Sequence, residues 1–334
     1  MNTDKTRLLI CVYLCSSVAI FVFSTGCGRY ASFTLPEVRG GDTSLVYRFV
    51  AQPGPVVTRG EFQDALNPSV VFSARGLAPG PVNLYSVFDG HTWHTAMADG
   101  EKSDIILSPD PKTWEGDYIA ANGSAIYMRN GLLIWYWYVS GPKNKTRIGL
   151  AKQADGPGEN IWRKEPAPVL DVGPVGAWDE RAVADPYVIR IEPYFYMYYL
   201  GQDRAVRQRI GVARSRDGVY WEKLPANPVL EMDEEEAGVG EPAVWQSDGF
   251  YWMLYTVRDF AENRYLRLAR STNGVRWTKL AVRYKGTEAW NSKVICDPTV
   301  VVDSGRILVW FGGGDVASPD ENLHGQIGFA TLAK

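Results

Sequence analysis

An internal repeat constrains this chain more than any other feature. "DPYVIRIEPYFYMYYLG" from 185, "EPAVWQSDGFYWMLYTV" from 241 and "DPTVVVDSGRILVWFGG" from 297 share one layout. Each has an acid, a proline, a short apolar run, a polar turn and a longer apolar run, and the starts are 56 residues apart. "GSAIYMRNGLLIWYWYV" from 123 and "NPSVVF" from 67 extend the series backwards, with the surplus before 185 placed in "GPGEN" and "DVGPVGAW". Five copies result, starting at Asn67, Gly123, Asp185, Glu241 and Asp297. A second half follows: "RIGLAKQADG" at 147, "RIGVARSRDGVYW" at 209, "LRLARSTNGVRW" at 266 and "QIGFATL" at 326. Fixed self-similarity of this length marks a repeat architecture rather than two unrelated domains.

Short apolar runs punctuated by Gly and Asp turns, with no amphipathic stretch of helical length, predict an all-β chain. Runs such as "LLIWYWYV" are apolar on both faces, so both faces are covered. A five-bladed β-propeller of four-stranded antiparallel blades meets both conditions. The N-terminal "LVYRFVAQPGPVV", 45–57, is expected to complete the last blade and close the ring.

The first strand of a propeller blade lines the axis, so the copy starts predict a ring at one channel mouth. Asp185, Glu241 and Asp297 would face one another there, with Asn67 as the first member. Carboxyls held close cannot all ionise easily, and at least one pKa should rise. A raised carboxyl beside an ionised one is the equipment of glycoside hydrolysis. Against this, an acid before a proline often only initiates a turn.

The N-terminus reads as an export signal. Lys5 and Arg7 precede an apolar stretch, Leu8–Phe23, too short to span a bilayer at the usual ~20 residues. "STGC" at 24–27 resembles a bacterial lipobox, which implies lipidation of Cys27 and a membrane-anchored protein outside the cytoplasm; an uncleaved anchor is the alternative. Residues 1–27 are thus expected as signal, 28–44 as linker and 45–334 as the propeller. Cys296 is then the one cysteine in the folded part, which leaves no intrachain disulfide there. A net charge of −3 shows no basic excess, so nucleic acid is not an expected partner.

The pattern over 45–334 resembles the five-bladed propeller glycosidases, the superfamily of arabinanases, invertases and levansucrases, with glycoside hydrolase family 43 nearest by layout. That resemblance implies a base Asp in the first copy, an orienting Asp in the third (Asp185) and a general-acid Glu in the fourth (Glu241). It implies an inverting hydrolase acting on an oligo- or polysaccharide, a monomer held at the membrane by its lipid anchor, with no cofactor required beyond a central calcium or sodium ion near His324. Asn67 departs from the pattern, because an amide takes no proton from water. "NP" at this place is similar to the mannoside phosphorylases and mannosidases of family 130, although "VADPYV" lacks their Glu and Arg. Asp64, Asp179 and Asp297 are alternative bases, and a glycan-binding propeller without catalysis is the alternative from another class.

Other polar residues recur. Asp203, Asp259 and Asp315 each lie 18 after their copy's acid, which suits loop shaping. Arg181, Arg204 and Arg258 are candidate clamps for sugar hydroxyls or an acidic sugar. Trp178 and Trp290, 112 apart, are candidate sugar platforms, with core packing as the alternative. His91 and His94 are a weak metal signal.

Overall fold

The structure is a computed structural model that describes residues 29–71, 84–99, 102–128, 133–154 and 161–334. The export signal with Cys27 and the "GPGEN" segment lie outside the described residues. The chain is all-β, with one 3-10 turn, Ala289–Asn291, as the helical element among the described residues. No helix there is long and apolar enough to cross a membrane.

After a short strand β1 (Arg48–Ala51), the strands fall into antiparallel groups of four. The first group is β2 (Asp64–Ser69), β3 (Leu84–Phe88), β4 (Trp93–Asp99) and β5 (Lys102–Leu107). The second is β6 (Ile119–Met128), β7 (Leu133–Gly141), β8 (Arg147–Gln153) and β9 (Trp162–Lys164). The third is β10 (Ala182–Ile191), β11 (Tyr194–Gln202), β12 (Gln208–Ser215) and β13 (Trp221–Lys223). The fourth is β14 (Gly238–Ser247), β15 (Phe250–Arg258), β16 (Arg264–Ser271) and β17 (Thr278–Tyr284). The last is β18 (Val294–Asp303), β19 (Arg306–Gly314) and β20 (Gln326–Ala333), and β1 pairs antiparallel with β20 as its outer strand. The first strands lie side by side: β2 against β6, β6 against β10, β10 against β14, β14 against β18, and β18 against β2.

The second strands carry the apolar runs. β15 is buried from Phe250 to Val257, because side chains from both of its faces enter a core between adjacent groups. Trp252 and Tyr255 are fully buried, one on each side. Burial on both faces is what removes the alternation of a half-exposed strand.

The segment expected as a linker, 28–44, is packed on the body from Tyr30 onward. Ala31 N donates to Lys223 O at 3.0 Å, Leu35 N to Asn273 O at 2.9 Å and Val38 N to Thr272 O at 2.9 Å. Leu35 is buried in the core between the third and fourth groups. With Phe33 and Val38 packed beside it and the Tyr251 hydroxyl donating to Pro36 O at 2.8 Å, it fixes the segment.

Candidate active site

Each first strand is broken at the same place. The register shifts between Leu66 and Ser69, Ala121 and Ser124, Ala184 and Tyr187, Gly240 and Ala243, and Cys296 and Thr299. The residue in each break has a left-handed backbone: Asn67 (φ 48°), Asn122 (50°), Asp185 (46°), Glu241 (51°) and Asp297 (49°). Asn and Asp enter that region most readily among residues with a Cβ. Glu241 has no such ease, and strain of this kind, about 1–3 kcal/mol, marks functional positions. A bulge turns a side chain out of the alternation and aims it elsewhere.

The second member is therefore Asn122, not the Gly123 expected from the repeat. Gly123 stands where the other four copies have proline, so the true intervals around it are 55 and 63 residues.

These side chains converge. Asp185, Glu241 and Asp297 line one open pocket together with Asn122, and with Asn67 they line its narrow continuation between the first strands. Asn122 Nδ2 donates to Asp185 Oδ1 at 3.2 Å, and Asn67 Nδ2 approaches Asp297 Oδ1 at 3.4 Å. The Asp297 N–H donates to Glu241 Oε2 at 3.0 Å. Asn67 Oδ1 is buried without a hydrogen-bond partner.

Burial, and then the charge of Glu241, push Asp185 up to about 7, against the opposing pull of Asn122 and Arg264. Burial, Glu241 and Asp185 hold Asp297 well above the carboxylate range. The expected rise is thus located on the two aspartates. Asp297 also accepts from the buried Cys296 thiol at 3.1 Å, and burial pushes that thiol up as well.

The closest ligand atoms of Glu241, Cys296 and Asp297 lie within 4.8 Å of one another. Calcium takes about six to eight oxygen ligands, and a thiol binds metal as thiolate. Two carboxyls beside a protonated thiol do not make a calcium cage. The same closeness bears on catalysis. Carboxyls that hold a water between them for inversion stand ~6.5–9.5 Å apart. Asp297 is packed against Glu241 and is not a base across a substrate from it.

The other alternative bases are tied down away from the pocket. Asp64 is fully buried and accepts from the N–H groups of Asn322 (2.6 Å), Leu323 (2.9 Å) and Gly325 (2.7 Å). Asp179 is fully buried against Lys223 Nζ at 2.6 Å and accepts from the Tyr199 hydroxyl at 3.2 Å. Glu115 and Glu236 repeat the device: Glu115 pairs with Lys164 at 2.7 Å, Glu236 with Arg267 at 2.6 Å. Each acid fixes the loop that enters its first strand. Asp179→Ala leaves Lys223 buried with the neutral Asp171 O as acceptor and no counter-charge in contact, so unfolding in denaturant should show a loss of about 3–5 kcal/mol. An unchanged midpoint would show the pair to be dispensable.

Trp178 and Trp290 are packing residues and do not line the pocket. Trp178 lies over Gly201 and Gly211, and Trp290 over Gly313 and Gly328. Their 112-residue spacing follows from a glycine pair in each group that leaves room for an indole. Arg204 is exposed and pairs with Glu180 at 3.1 Å. Arg181 precedes β10 and is held by its N–H on Gln202 O. His324 is exposed and bonded through Nδ1 to Asp315 at 2.8 Å, away from the pocket lining. His94 is occupied by Ser108 and Asp89. Asp203 is held by Arg209 at 2.7 Å, and Asp259 accepts from the N–H groups of Ala261 and Asn263.

Of the arginines singled out, Arg258 does line the pocket. Beside it are Arg264, Gln202, Gln208 and Lys143, none of which the acid repeat signals. Lys143 is engaged by Glu321 at 2.6 Å.

No protein-family model matches the chain. An uncharacterized protein of Mycobacterium tuberculosis is 29% identical over 180 residues, which are 51% of this chain and 60% of that protein. The chain thus spans less than two thirds of that relative. A 1,2-beta-oligomannan phosphorylase of Thermoanaerobacter sp. is 29% identical over 126 residues, 34% of this chain and 42% of the other. Among solved structures, a glycoside hydrolase superposes with a TM-score of 0.65 at 16% identity, covering 90% of this chain and 93% of that one. A thermostable family-43 glycoside hydrolase gives 0.59 at 16% identity over 85% and 92%. The family-62 alpha-L-arabinofuranosidase of Coprinopsis cinerea gives 0.59 at 14% over 86% and 97%. At these identities the likeness is one of fold, which this all-β chain shares with β-propeller glycosidases.

Proposed function

We propose that this chain is an exported glycoside hydrolase, built as a five-bladed propeller, that takes a carbohydrate at the pocket over Asp185, Glu241 and Asp297. The return of side-by-side contact from β18 to β2, and the pairing of β1 with β20, support the closed ring. The observation that carries the function is the convergence of three carboxyls on left-handed bulges, with Asp185 raised to about 7. That value suits a group that gives a proton near neutral pH. The family resemblance implied Glu241 as the acid; the electrostatics favour Asp185 as the donor. In this reading Glu241 supplies the negative charge that keeps the proton on Asp185 and faces the cationic sugar as it forms. Inversion follows if water enters from the face opposite the leaving group and passes its proton to the ionised carboxylate of Glu241, while Asp185 gives its own proton to the leaving oxygen.

Asn67 favours a second reading. An amide orients a nucleophile without deprotonating it, and phosphate needs no deprotonation. The similarity to an oligomannan phosphorylase points the same way. Incubating the protein with a panel of plant and microbial glycans, with and without inorganic phosphate, separates the readings. Hydrolysis gives free sugars in both conditions, whereas phosphorolysis gives sugar phosphates only with phosphate. Binding of a glycan with no turnover leaves a glycan-binding propeller and rejects both.

The anchor belongs to the same proposal. Cys27 follows "STG" after the apolar stretch, so Cys27→Ser should move the protein from membrane to soluble fractions. Unchanged membrane retention favours an uncleaved anchor.

A further inference from the structure

One wall of the pocket carries an arrangement that the carboxyl ring does not explain. Arg258 ends β15 and Arg264 begins β16, and the two are direct partners across the strand pair. Like charges directly opposite on adjacent strands repel. Both side chains line the pocket. The corresponding partners in the third group are Gln202 and Gln208, which line it too and carry no charge.

The protein supplies only partial compensation. Arg264 donates to the backbone oxygens of Ser318 (3.1 Å) and Pro319 (2.5 Å), neutral acceptors, and Glu241, Asp297 and Asp320 act on it through their charge without a direct ion pair. It thereby offsets the carboxyl ring. Arg258 approaches Glu262 at 3.4 Å, and its Nε is buried without an acceptor. Two guanidiniums lining one pocket, with a buried donor of Arg258 unused, fit a planar oxyanion, which arginine binds through paired N–H groups.

We propose that Arg258 and Arg264 form a subsite for a carboxylate of the substrate, so that the glycan taken at this pocket is acidic and carries a uronate. This rests on the glycosidase reading, since it names the substrate class of that site. The carboxylate sits at the arginine wall, and the sugar ring beside it extends toward Asp185 and Glu241. The two glutamines are neutral donors for its hydroxyls.

Binding to uronate-containing oligosaccharides, measured by titration calorimetry, is compared with binding to the same oligosaccharides after their carboxyls have been reduced to alcohols. The wild-type protein should bind the acidic forms about 10- to 100-fold more tightly, the range of charge-assisted hydrogen bonds. Arg258→Gln should remove most of that difference, so that acidic and reduced forms bind the variant with similar affinity. Carboxyl reduction tests the subsite on the wild-type protein, so misfolding of the variant cannot hide the answer. Equal binding of both forms, or binding of neither, overturns the subsite. Inorganic phosphate that competes at the arginine pair and also becomes attached to the released sugar overturns it as well, since the pair then serves the nucleophile. Tight, carboxyl-dependent binding without cleavage keeps the subsite and rejects the glycosidase. Cleavage of neutral glycans alone does the reverse.

Discussion

Asp185→Asn is expected to slow cleavage of a natural glycan by ~10²–10⁴, the usual contribution of a positioned acid. Activated aryl glycosides should be nearly spared, because their leaving group departs without a proton. The substitution keeps the shape of the side chain and suits the backbone. Asn67 and Asn122 already occupy the equivalent left-handed positions with φ near that of Asp185. A loss of rate with the melting temperature unchanged therefore reports chemistry rather than folding. Equal slowing of both substrate types would remove Asp185 from the role of donor.

Glu241→Gln is expected to act on the pH profile as well as on the rate. The donor works while protonated, so activity is present below its pKa and is lost as pH rises through it. With Asp185 at about 7, the alkaline limb of kcat/KM lies near neutral pH. Glu241 is one of the two causes that raise Asp185, the larger being burial. Removing its charge lets the Asp185 pKa fall, and the limb moves to lower pH. The variant should consequently lose more activity at pH ~7.5 than at pH ~5, measured as kcat/KM across the range. A uniform loss with an unmoved limb would mean that Glu241 contributes through contact with the substrate and not through Asp185.

The fold was legible because repetition carries it. Equivalent strands in successive groups do the same packing, so from the third group on their apolar runs and bulges recur at 56-residue intervals. The register failed at the second copy for a local reason. Proline marks the residue after the bulge in four copies, and Gly123 replaces it in the second. Asn122 just before a glycine was the available signal, since Asn tolerates the left-handed backbone. The packing of residues 30–44 was not legible because few of their side chains are apolar, and Leu35, Phe33 and Val38 with backbone hydrogen bonds hold them down.

The site was legible only where it coincides with the repeat. Asp185, Glu241 and Asp297 announce themselves by spacing. Which of them rises depends on burial and mutual distance, and neither is written in the spacing. The tryptophans show the opposite failure. Trp178 and Trp290 repeat because glycines opposite them repeat, so their spacing reflects core packing, the reading that stood beside sugar platforms. Arg264 was missed because strand ends vary between copies. The partnering of Arg258 with Arg264 becomes visible only when the register of β15 and β16 is known.

The central claim is that Asp185 keeps a proton near neutral pH because it is buried beside Glu241. Carboxyl-carbon NMR of aspartate-labelled protein, with the Asp185 signal identified by its loss in Asp185→Asn, measures this directly. The account predicts a titration midpoint near 7 that falls in Glu241→Gln. A midpoint in the ordinary aspartate range, close to ~4, would contradict it.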